Sequence, residues 1–346
     1  MGQVVGSSTV LQVCLLKGAG GLRMVNSYAR IVGIIFVLGN VIYLYDLAVC
    51  RGSEPNIPEG RVLVIGIDGV RPDALKIADT PAIDELISVG AFTDNTKILG
   101  DRYRENETIS GPGWSSFLTG VWADKHGVND NTFRGENYDE YPHFFVHLKR
   151  AFPKAVTGSF VDWEPIDTFI LRDADVREVC PASSRDSLSQ KDEKLANKAA
   201  KFLAEQNPHA VFVYFGQVDE IGHQDGFHPS VPRYLQALQA VDAHVASLMK
   251  AIQSRPEYLA ENWLVVISTD HGGRGTKHRG GHDVPEIFTT FLVVSGSSSI
   301  QGKIEEPSYI VDVPVTALTH LGVPVDVAWQ LDGKAVGIRQ EFLRDH

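Results

Sequence analysis

Four stretches of the chain consist mainly of consecutive apolar residues. They run over residues 62–67 (VLVIGI), 210–216 (AVFVYFG), 263–269 (WLVVIST) and 288–296 (FTTFLVVSG). A strand that is apolar at nearly every position is buried on both faces, as in a parallel sheet with helices on either side. The pattern therefore predicts four buried strands.

Helical patterns separate these stretches. Residues 80–90 predict a short helix with Thr80 as its N-cap and Pro81 at its first position, and residues 187–206 and 231–253 predict longer helices. Strands that alternate with helices indicate an α/β fold with a mostly parallel sheet covered on both faces. The composition does not change within residues 61–346, which predicts one domain there.

Residues 31–50 form a further apolar stretch, which a polar linker at 51–60 joins to this domain. Its length of about 20 residues suffices for a helix that crosses a bilayer. Basic residues precede it, which predicts a membrane anchor with the domain on the non-cytoplasmic side (periplasmic, or extracellular or luminal). A cleaved signal peptide would explain the stretch equally well, and a buried core helix is a third interpretation.

The composition restricts the class of protein. The chain has 346 residues and a formal net charge of −11, and its basic residues are scattered singly. A nucleic-acid-binding face needs clustered basic residues, so we expect no nucleic-acid duplex as a partner. Cys180 is the one cysteine of the predicted domain, so no disulfide can form within that domain.

Charged residues follow three of the predicted strands. Asp68 follows the first, Asp219 the second, and Asp270 and His271 the third. Ligands of open α/β sheets bind at the carboxyl ends of the strands. Mixed carboxylate and imidazole ligands suit zinc and similar ions, and a set of this size suits two ions close together. The candidate ligands are Asp68, Asp219, His223, Asp270, His271, His278 and His282.

Ser110 is the candidate nucleophile. It precedes Gly111-Pro112-Gly113 and a helical pattern, and the free N–H groups at a helix N-terminus favour an anion such as phosphate. A serine hydroxyl needs a base or a metal to activate it near pH 7. The alternative is that Ser110 only caps the helix.

These motifs resemble the alkaline phosphatase superfamily, in particular the type I phosphodiesterase / nucleotide pyrophosphatase family. The resemblance covers nearly all of residues 61–346 and rests on VLVIGIDGVRPD (62–73), SGPGWSSFLTGVWADKHGV (110–128), VDEIGH (218–223), STDHGG (268–273) and VDVPVTALTHLGV (311–323). It implies a three-layer α/β/α sandwich without a large cap domain.

The resemblance also implies a role for each candidate. Asp68, Asp270, His271 and the Ser110 oxygen would hold one metal ion, and Asp219, His223 and a later histidine the other, with Zn²⁺ as the expected metal. Spacing favours His278 over His282 as that histidine. Asn131 would help to hold a phosphate oxygen. Ser110 would attack a small phosphate ester of nucleotide or lipid head-group type, and water would hydrolyse the phospho-enzyme.

Three departures from the motifs of the family limit what the resemblance implies. Ser110 stands where many members have threonine, Gly113-Trp114 replaces their Asn-His, and no insertion follows His271, which predicts an open site or a small local pocket. Trp114 also stands where sulfatases need arginine.

Two alternatives stay open, a phosphoryl transferase with a non-water acceptor and an inactive membrane-anchored binding protein. The aromatic residues that either line a pocket or fill the core are Trp114, Trp122, Phe133 and Trp163.

Overall fold

The computed structural model describes residues 36–37, 42–43, 57–58, 60–181 and 183–343, and it divides into two units, Met1–Ser53 and Glu54–His346. In the first unit the described residues are two short antiparallel strands, β1 (Phe36–Val37) and β2 (Ile42–Tyr43). The rest of the apolar stretch 31–50 lies outside the described residues, so the anchor or signal stays a prediction. Within the described part of the chain, no helix has the length and apolar character that a membrane span requires.

Nine strands among the described residues of the second unit form one sheet. The strands are β3 (Gly60–Ile67), β4 (Ala91–Lys97), β5 (Thr157–Val161), β6 (Val176–Val179), β7 (Ala210–Phe215), β8 (Asn262–Ser268), β9 (Thr289–Gly296), β10 (Gly302–Lys303) and β11 (Ser308–Tyr309). Their order is β10-β4-β9-β8-β3-β7-β5-β6, and β11 also pairs with β4. The strand β9 runs antiparallel to β4 and β8, and the other pairs are parallel.

Helices connect these strands and cover both faces of the sheet. They are α1 (Pro72–Leu75), α2 (Pro81–Val89), α3 (Ser110–Thr119), α4 (Ala123–His126), α5 (Phe144–Ala151), α6 (Leu188–Glu205), α7 (Gln217–Asp225), α8 (Pro232–Gln253), α9 (Pro285–Phe288) and α10 (Asp312–His320). The described residues also include a π-helical turn (Ile166–Ile170) and two 3₁₀ turns (Val327–Trp329 and Gln340–Phe342).

Successive residues of the central strands belong to two different hydrophobic cores. Val62 and Val64 of β3 pack with α3, α5 and α10, whereas Leu63 and Ile65 pack with α2, α6 and α8. Side chains of a strand alternate between the two faces of a sheet, so a run that is apolar at every position serves both cores. The predicted α/β fold with a mostly parallel, doubly covered sheet is confirmed.

The predicted elements agree with the structure, except for one helix cap and for strands that the sequence pattern does not predict. The helix predicted at 80–90 is α2, which begins at Pro81, but the Thr80 side chain makes no capping hydrogen bond. Ser187 does cap α6, with Gln190 completing a capping box. The sequence pattern does not predict β4, β5 or β6, because AFTDNTK, TGSFV and VREV contain too many polar or small residues to read as buried runs.

Candidate active site

Three neighbouring strands carry the acidic residues of the site. The strands β8, β3 and β7 lie side by side and run parallel, so their carboxyl ends meet at one edge of the sheet. Asp68 follows β3, Asp270 follows β8, and Asp219 lies in the first turn of α7, which follows β7. Gly69 permits this approach: it has φ +71°, and a Cβ there would lie 2.7 Å from the Asp219 carboxylate.

One candidate ligand group consists of Asp68, Asp270 and His271. All three are buried, and each offers a ligand atom within 4.8 Å of those of the other two. The His271 Nε2 atom lies 3.4 Å from Asp68 Oδ1 and 3.3 Å from Asp270 Oδ2. This arrangement directs two carboxylates and one imidazole at a common point.

A second group lies around Asp219. Its Oδ2 atom is 3.4 Å from His223 Nε2, and its Oδ1 atom is 3.6 Å from His278 Nε2. Asp219 and His278 also fall within the same 4.8 Å limit as His271, whose ring stacks on that of His278 at 3.7 Å. The two groups are therefore contiguous.

Hydrogen bonds fix the tautomers of the three imidazoles. The Nδ1 atoms of His223, His271 and His278 lie 3.0, 2.9 and 2.9 Å from the main-chain carbonyl oxygens of Thr276, Gly272 and Thr108. A carbonyl oxygen only accepts, so each Nδ1 carries a proton, and the neutral rings of His271 and His278 present a bare Nε2 to the site. The hydrogen bond to Asp219 raises the pKa of His223 to about 9, so without a metal ion its Nε2 also carries a proton, and a bound metal ion would replace that proton. The Nε2 atoms of His223 and His278 are 2.9 Å apart. Two bare lone pairs at this distance repel each other unless a proton or a metal ion lies between them.

The buried carboxylates also require a cation to balance their negative charge. Five buried atoms of the cluster have no hydrogen-bond partner among the described residues: Asp68 Oδ1, both carboxylate oxygens of Asp270, Asp219 Oδ1 and His271 Nε2. Burial raises the pKa of Asp219 to about 7 and that of Asp270 well above its usual range. Burial also lowers the pKa of His271 and His278 to about 3, which keeps both rings in the neutral form that binds metals. These residues fit divalent metal ions.

Two aromatic residues hold Asp68 in place. Its Oδ2 atom accepts hydrogen bonds from Trp114 Nε1 (3.0 Å) and from the Tyr214 hydroxyl (2.7 Å), which leaves Oδ1 directed at the ligand cluster. The Trp114 ring lies against Gly66, where a Cβ would come within 2.4 Å of it. Nothing local in the sequence identified Tyr214 as a site residue, because it lies inside an apolar strand.

Ser110 and Asn131 lie beside the metal-ligand groups. Ser110 is the first residue of α3, whose N-cap is Ile109, so the serine hydroxyl does not cap this helix. Asn131 Oδ1 accepts a hydrogen bond from the Gly111 N–H (2.7 Å). Ser110, Asn131, Asp68, Asp219 and His278 all line one cavity of about 930 Å³.

The remaining candidates are His282 and the aromatic residues. The His282 Nε2 atom donates a hydrogen bond to the Asn106 carbonyl (2.8 Å), and His282 belongs to neither ligand group. The structure thus brings His278 to the cluster and leaves His282 outside it. Trp122 and Phe133 are buried in the core, whereas Trp163 lines the cavity.

Two further acids, Asp162 and Asp192, form a pair that the sequence did not reveal. Their carboxyl groups are close enough to shift each other's pKa, and Asp192 accepts long hydrogen bonds from the N–H groups of Gly216 (3.4 Å) and Gln217 (3.3 Å). Burial raises the pKa of both carboxyls, that of Asp162 to about 7, so the pair holds a proton near neutral pH. Asp192 accepts two backbone hydrogen bonds that stabilise its ionised form, which places the proton on Asp162.

Comparison with known proteins identifies similar chains. The model of the family described as type I phosphodiesterase / nucleotide pyrophosphatase matches residues 62–180 and 157–294. Bis(5'-adenosyl)-triphosphatase ENPP4 from Bos taurus is 24% identical over 237 residues, which are 64% of this chain and 49% of that protein. The chain thus spans about half the length of this relative.

Solved structures share the fold. An inactive variant of murine ectonucleotide pyrophosphatase / phosphodiesterase 5 in complex with AMP has a TM-score of 0.57 and 16% identity, and the match covers 80% of this chain and all (100%) of that one. A 2-O GAG sulfatase has a TM-score of 0.60 and 17% identity, over 81% of this chain and 75% of that one. At these identities the structures show a common fold and no common substrate.

Proposed function

Because this chain belongs to the type I phosphodiesterase / nucleotide pyrophosphatase family, we propose that it hydrolyses a phosphodiester or phosphoanhydride bond in a small molecule, with Ser110 as the nucleophile. One observation carries the proposal. Ser110 begins α3 in the same cavity as a cluster of carboxylates and imidazoles whose buried ligand atoms lack partners among the described residues.

The ligand set supports a pair of divalent ions, with Zn²⁺ as the expected metal. Asp68, Asp270, His271 and the Ser110 oxygen would hold one ion, and Asp219, His223 and His278 the other. When bound, such ions lower the pKa of a coordinated hydroxyl and stabilise negative charge on the attacking and leaving oxygens. His271 belongs to both groups, so the two sets of ligands are contiguous.

The residues of the chain supply the rest of the chemistry. Ser110 Oγ loses its proton and forms a bond to phosphorus, while the bond to the leaving oxygen breaks and that oxygen takes up a proton. Water then forms a bond to phosphorus, the bond from phosphorus to Ser110 Oγ breaks, and a proton from the water restores the serine hydroxyl. Asn131 uses its carbonyl oxygen for the Gly111 N–H, which leaves its amide N–H groups to donate to a phosphate oxygen. The N-terminal N–H groups of α3 add to this stabilisation.

A Ser110→Ala variant tests the proposal. We expect the wild-type protein to hydrolyse bis-p-nitrophenyl phosphate, and we expect turnover by the variant to fall by at least about 1,000-fold, because no other nucleophile replaces the lost hydroxyl. Metal content, measured by mass spectrometry, should stay near that of the wild type, since all six carboxylate and imidazole ligands remain. Ser115→Ala is a matched control, because the Ser115 hydroxyl is hydrogen-bonded to the Gly111 carbonyl oxygen and to the Tyr138 hydroxyl inside the core.

Three outcomes would contradict the proposal in different ways. Unchanged turnover in Ser110→Ala would mean that another group is the nucleophile. Absence of turnover in the metal-loaded wild-type protein would favour a binding protein, and phosphoryl transfer to an added alcohol in preference to water would favour a transferase. Product analysis with a labelled alcohol acceptor distinguishes the last two.

A further inference from the structure

Two buried threonines lie between the segments that carry the metal ligands. Thr108 stands two residues before Ser110. Thr269 stands directly before Asp270. Thr108 is 2% exposed and Thr269 is 0% exposed, and the described residues that line the active-site cavity include neither of them. Any role of these threonines in the site must therefore act through the residues that they contact.

The Thr108 hydroxyl connects the nucleophile segment to the loop that carries His278. Its Oγ1 atom donates a hydrogen bond to the main-chain carbonyl oxygen of His278 (2.5 Å) and accepts one from the Gly281 N–H (2.8 Å). The main-chain carbonyl oxygen of Thr108 in turn accepts the hydrogen bond from His278 Nδ1 (2.9 Å). Three hydrogen bonds thus hold this loop against a segment that lies 170 residues earlier in the chain.

The Thr269 hydroxyl makes the same kinds of bond in the other ligand group. Its Oγ1 atom donates to the main-chain carbonyl oxygen of His271 (3.0 Å) and accepts from the Val70 N–H (3.2 Å). Val70 follows Asp68 by two residues, so these bonds connect the turn after β3 to the loop after β8. In each ligand group, one threonine hydroxyl therefore bonds the carbonyl oxygen of a ligand histidine and joins two segments that are far apart in the chain.

These contacts require a hydroxyl group. A threonine hydroxyl both donates and accepts a hydrogen bond, whereas valine has nearly the same shape and does neither. With valine at either position, a buried carbonyl oxygen and a buried N–H group would each lose a partner, and the loop would have to move to replace it. Groups that hold metal ligands from behind typically contribute about 10- to 100-fold to metal affinity.

We propose that Thr108 and Thr269 are positioning residues, one for each metal-ligand group. Thr108 fixes His278 relative to the nucleophile segment. Thr269 fixes the loop of His271 relative to the turn of Asp68. The inference rests on the metal centre of the proposed function and identifies what holds its parts in register. The alternative is that both hydroxyls only satisfy buried main-chain groups and contribute to the stability of the fold.

Zinc affinity separates these two explanations. Competition with a coloured chelator, starting from the metal-free full chain, measures the affinities of both ions. Thr108→Val and Thr269→Val should each weaken binding of one zinc ion by about 10- to 100-fold and affect the other by less than about 3-fold. Thr108→Ser and Thr269→Ser retain the hydroxyl, so both affinities should stay within about 3-fold of the wild type.

A second substitution shows which ion each threonine serves. In the His278→Ala protein, adding Thr108→Val should change zinc affinity by less than about 3-fold, because the ring on which Thr108 acts is absent. Adding Thr269→Val to His278→Ala should weaken the remaining zinc ion by about 10- to 100-fold, because that ion uses the other ligand group.

Thr119→Val is the matched control. Thr119 is 1% exposed, and its hydroxyl donates a hydrogen bond to the Ser115 carbonyl oxygen (2.7 Å) within α3, outside both ligand groups. This variant should unfold at a lower urea concentration, as the other valine variants do, but retain both zinc affinities. Circular dichroism confirms that each variant is folded before titration. If a valine variant does not fold, the alanine variant at that position removes the same hydroxyl and provides the same test.

Three results would overturn the inference. Wild-type zinc affinities in Thr108→Val and Thr269→Val would show that the two hydroxyls serve stability alone. An equal loss of zinc affinity in Thr119→Val would show that the effect is a general loosening of the fold. In both cases the metal centre of the proposed function would stand. A wild-type protein that binds no zinc would instead contradict that metal centre, and the inference would fail with it.

Discussion

At the scale of single residues, the site depends on where each imidazole directs its second nitrogen. The Nδ1–H groups of His223, His271 and His278 are held by main-chain carbonyls, so their Nε2 atoms face the carboxylates. A hydrogen bond from one ring nitrogen to a carbonyl orients a metal-ligating histidine and strengthens it as a ligand. His282 is the opposite case, because its Nε2 donates to the Asn106 carbonyl.

This contrast predicts different effects for two neighbouring histidines. His278→Ala should weaken binding of one of two metal ions by at least about 100-fold, because it removes a direct ligand. His282→Ala should change metal affinity by less than about 10-fold, since its ring lies outside both ligand groups. Competition for zinc with a coloured chelator measures the metal affinity of both variants. Loss of a metal ion from His282→Ala but not from His278→Ala would reverse the assignment.

At the scale of elements, the position of α7 decides whether the second ligand group forms. This helix carries Asp219 and His223, and the N–H groups at its N-terminus donate hydrogen bonds to Asp192 on α6, which is electrostatically paired with Asp162. Asp192 is 0% exposed, so its contacts are not replaced by water. The acid pair therefore connects α6, α7 and the end of β5 beneath the cavity.

Two amide substitutions should separate the roles of these acids. Asp162→Asn keeps a group that donates a hydrogen bond to Asp192, so we expect metal affinity to stay within about 10-fold of the wild type. Asp192→Asn turns an amide donor toward backbone N–H groups and should lower the free energy of unfolding by about 1–3 kcal/mol. It should also weaken metal binding by about 10- to 100-fold. Chemical unfolding and zinc titration provide the measurements, and a wild-type affinity in Asp192→Asn would disprove the connection.

At the scale of the whole molecule, neutral histidines in the core couple stability to pH. His126 is fully buried; Val128 N–H donates to its Nδ1, and its Nε2 lies 3.0 Å from Ser116 Oγ. Burial lowers its pKa to about 3, below the ordinary value of 6.5. Above pH 6.5 the ring is neutral in both the folded and the unfolded chain. Below pH 6.5 the unfolded chain binds a proton that the folded chain does not, so stability falls as the pH falls toward 3.

His126→Asn tests this coupling. Asparagine retains an acceptor for the Val128 N–H but does not titrate. Between about pH 7.5 and about pH 5, the wild-type protein should lose about 2 kcal/mol more stability than the variant. Chemical unfolding of both proteins at the two pH values measures the difference, and effects common to both, such as release of metal ions, cancel. An equal loss in the two proteins would mean that His126 binds a proton in the folded state.

The sequence by itself determined the fold class and the edge of the sheet that carries the site. Runs such as 62–67 and 210–216 are apolar at every position, and only a sheet covered on both faces buries them completely. Asp68, Asp219 and Asp270 follow three of these runs, so parallel strands necessarily bring them to one edge. These are local patterns, and each can be read from a short stretch of chain.

Only the tertiary structure decided which side chains meet at that edge. Several features of the site depend on segments far apart in the chain. They are the presence of His278 and not His282, the hydrogen bonds from Trp114 and Tyr214 to Asp68, the Asp162–Asp192 pair and the exposure of Trp163. Residue spacing favours His278 over His282, but it carries no record of the other distances, because they follow from the order of the strands and from how the loops between them pack. The sheet edge was therefore predictable, whereas the contacts that tune its chemistry were not.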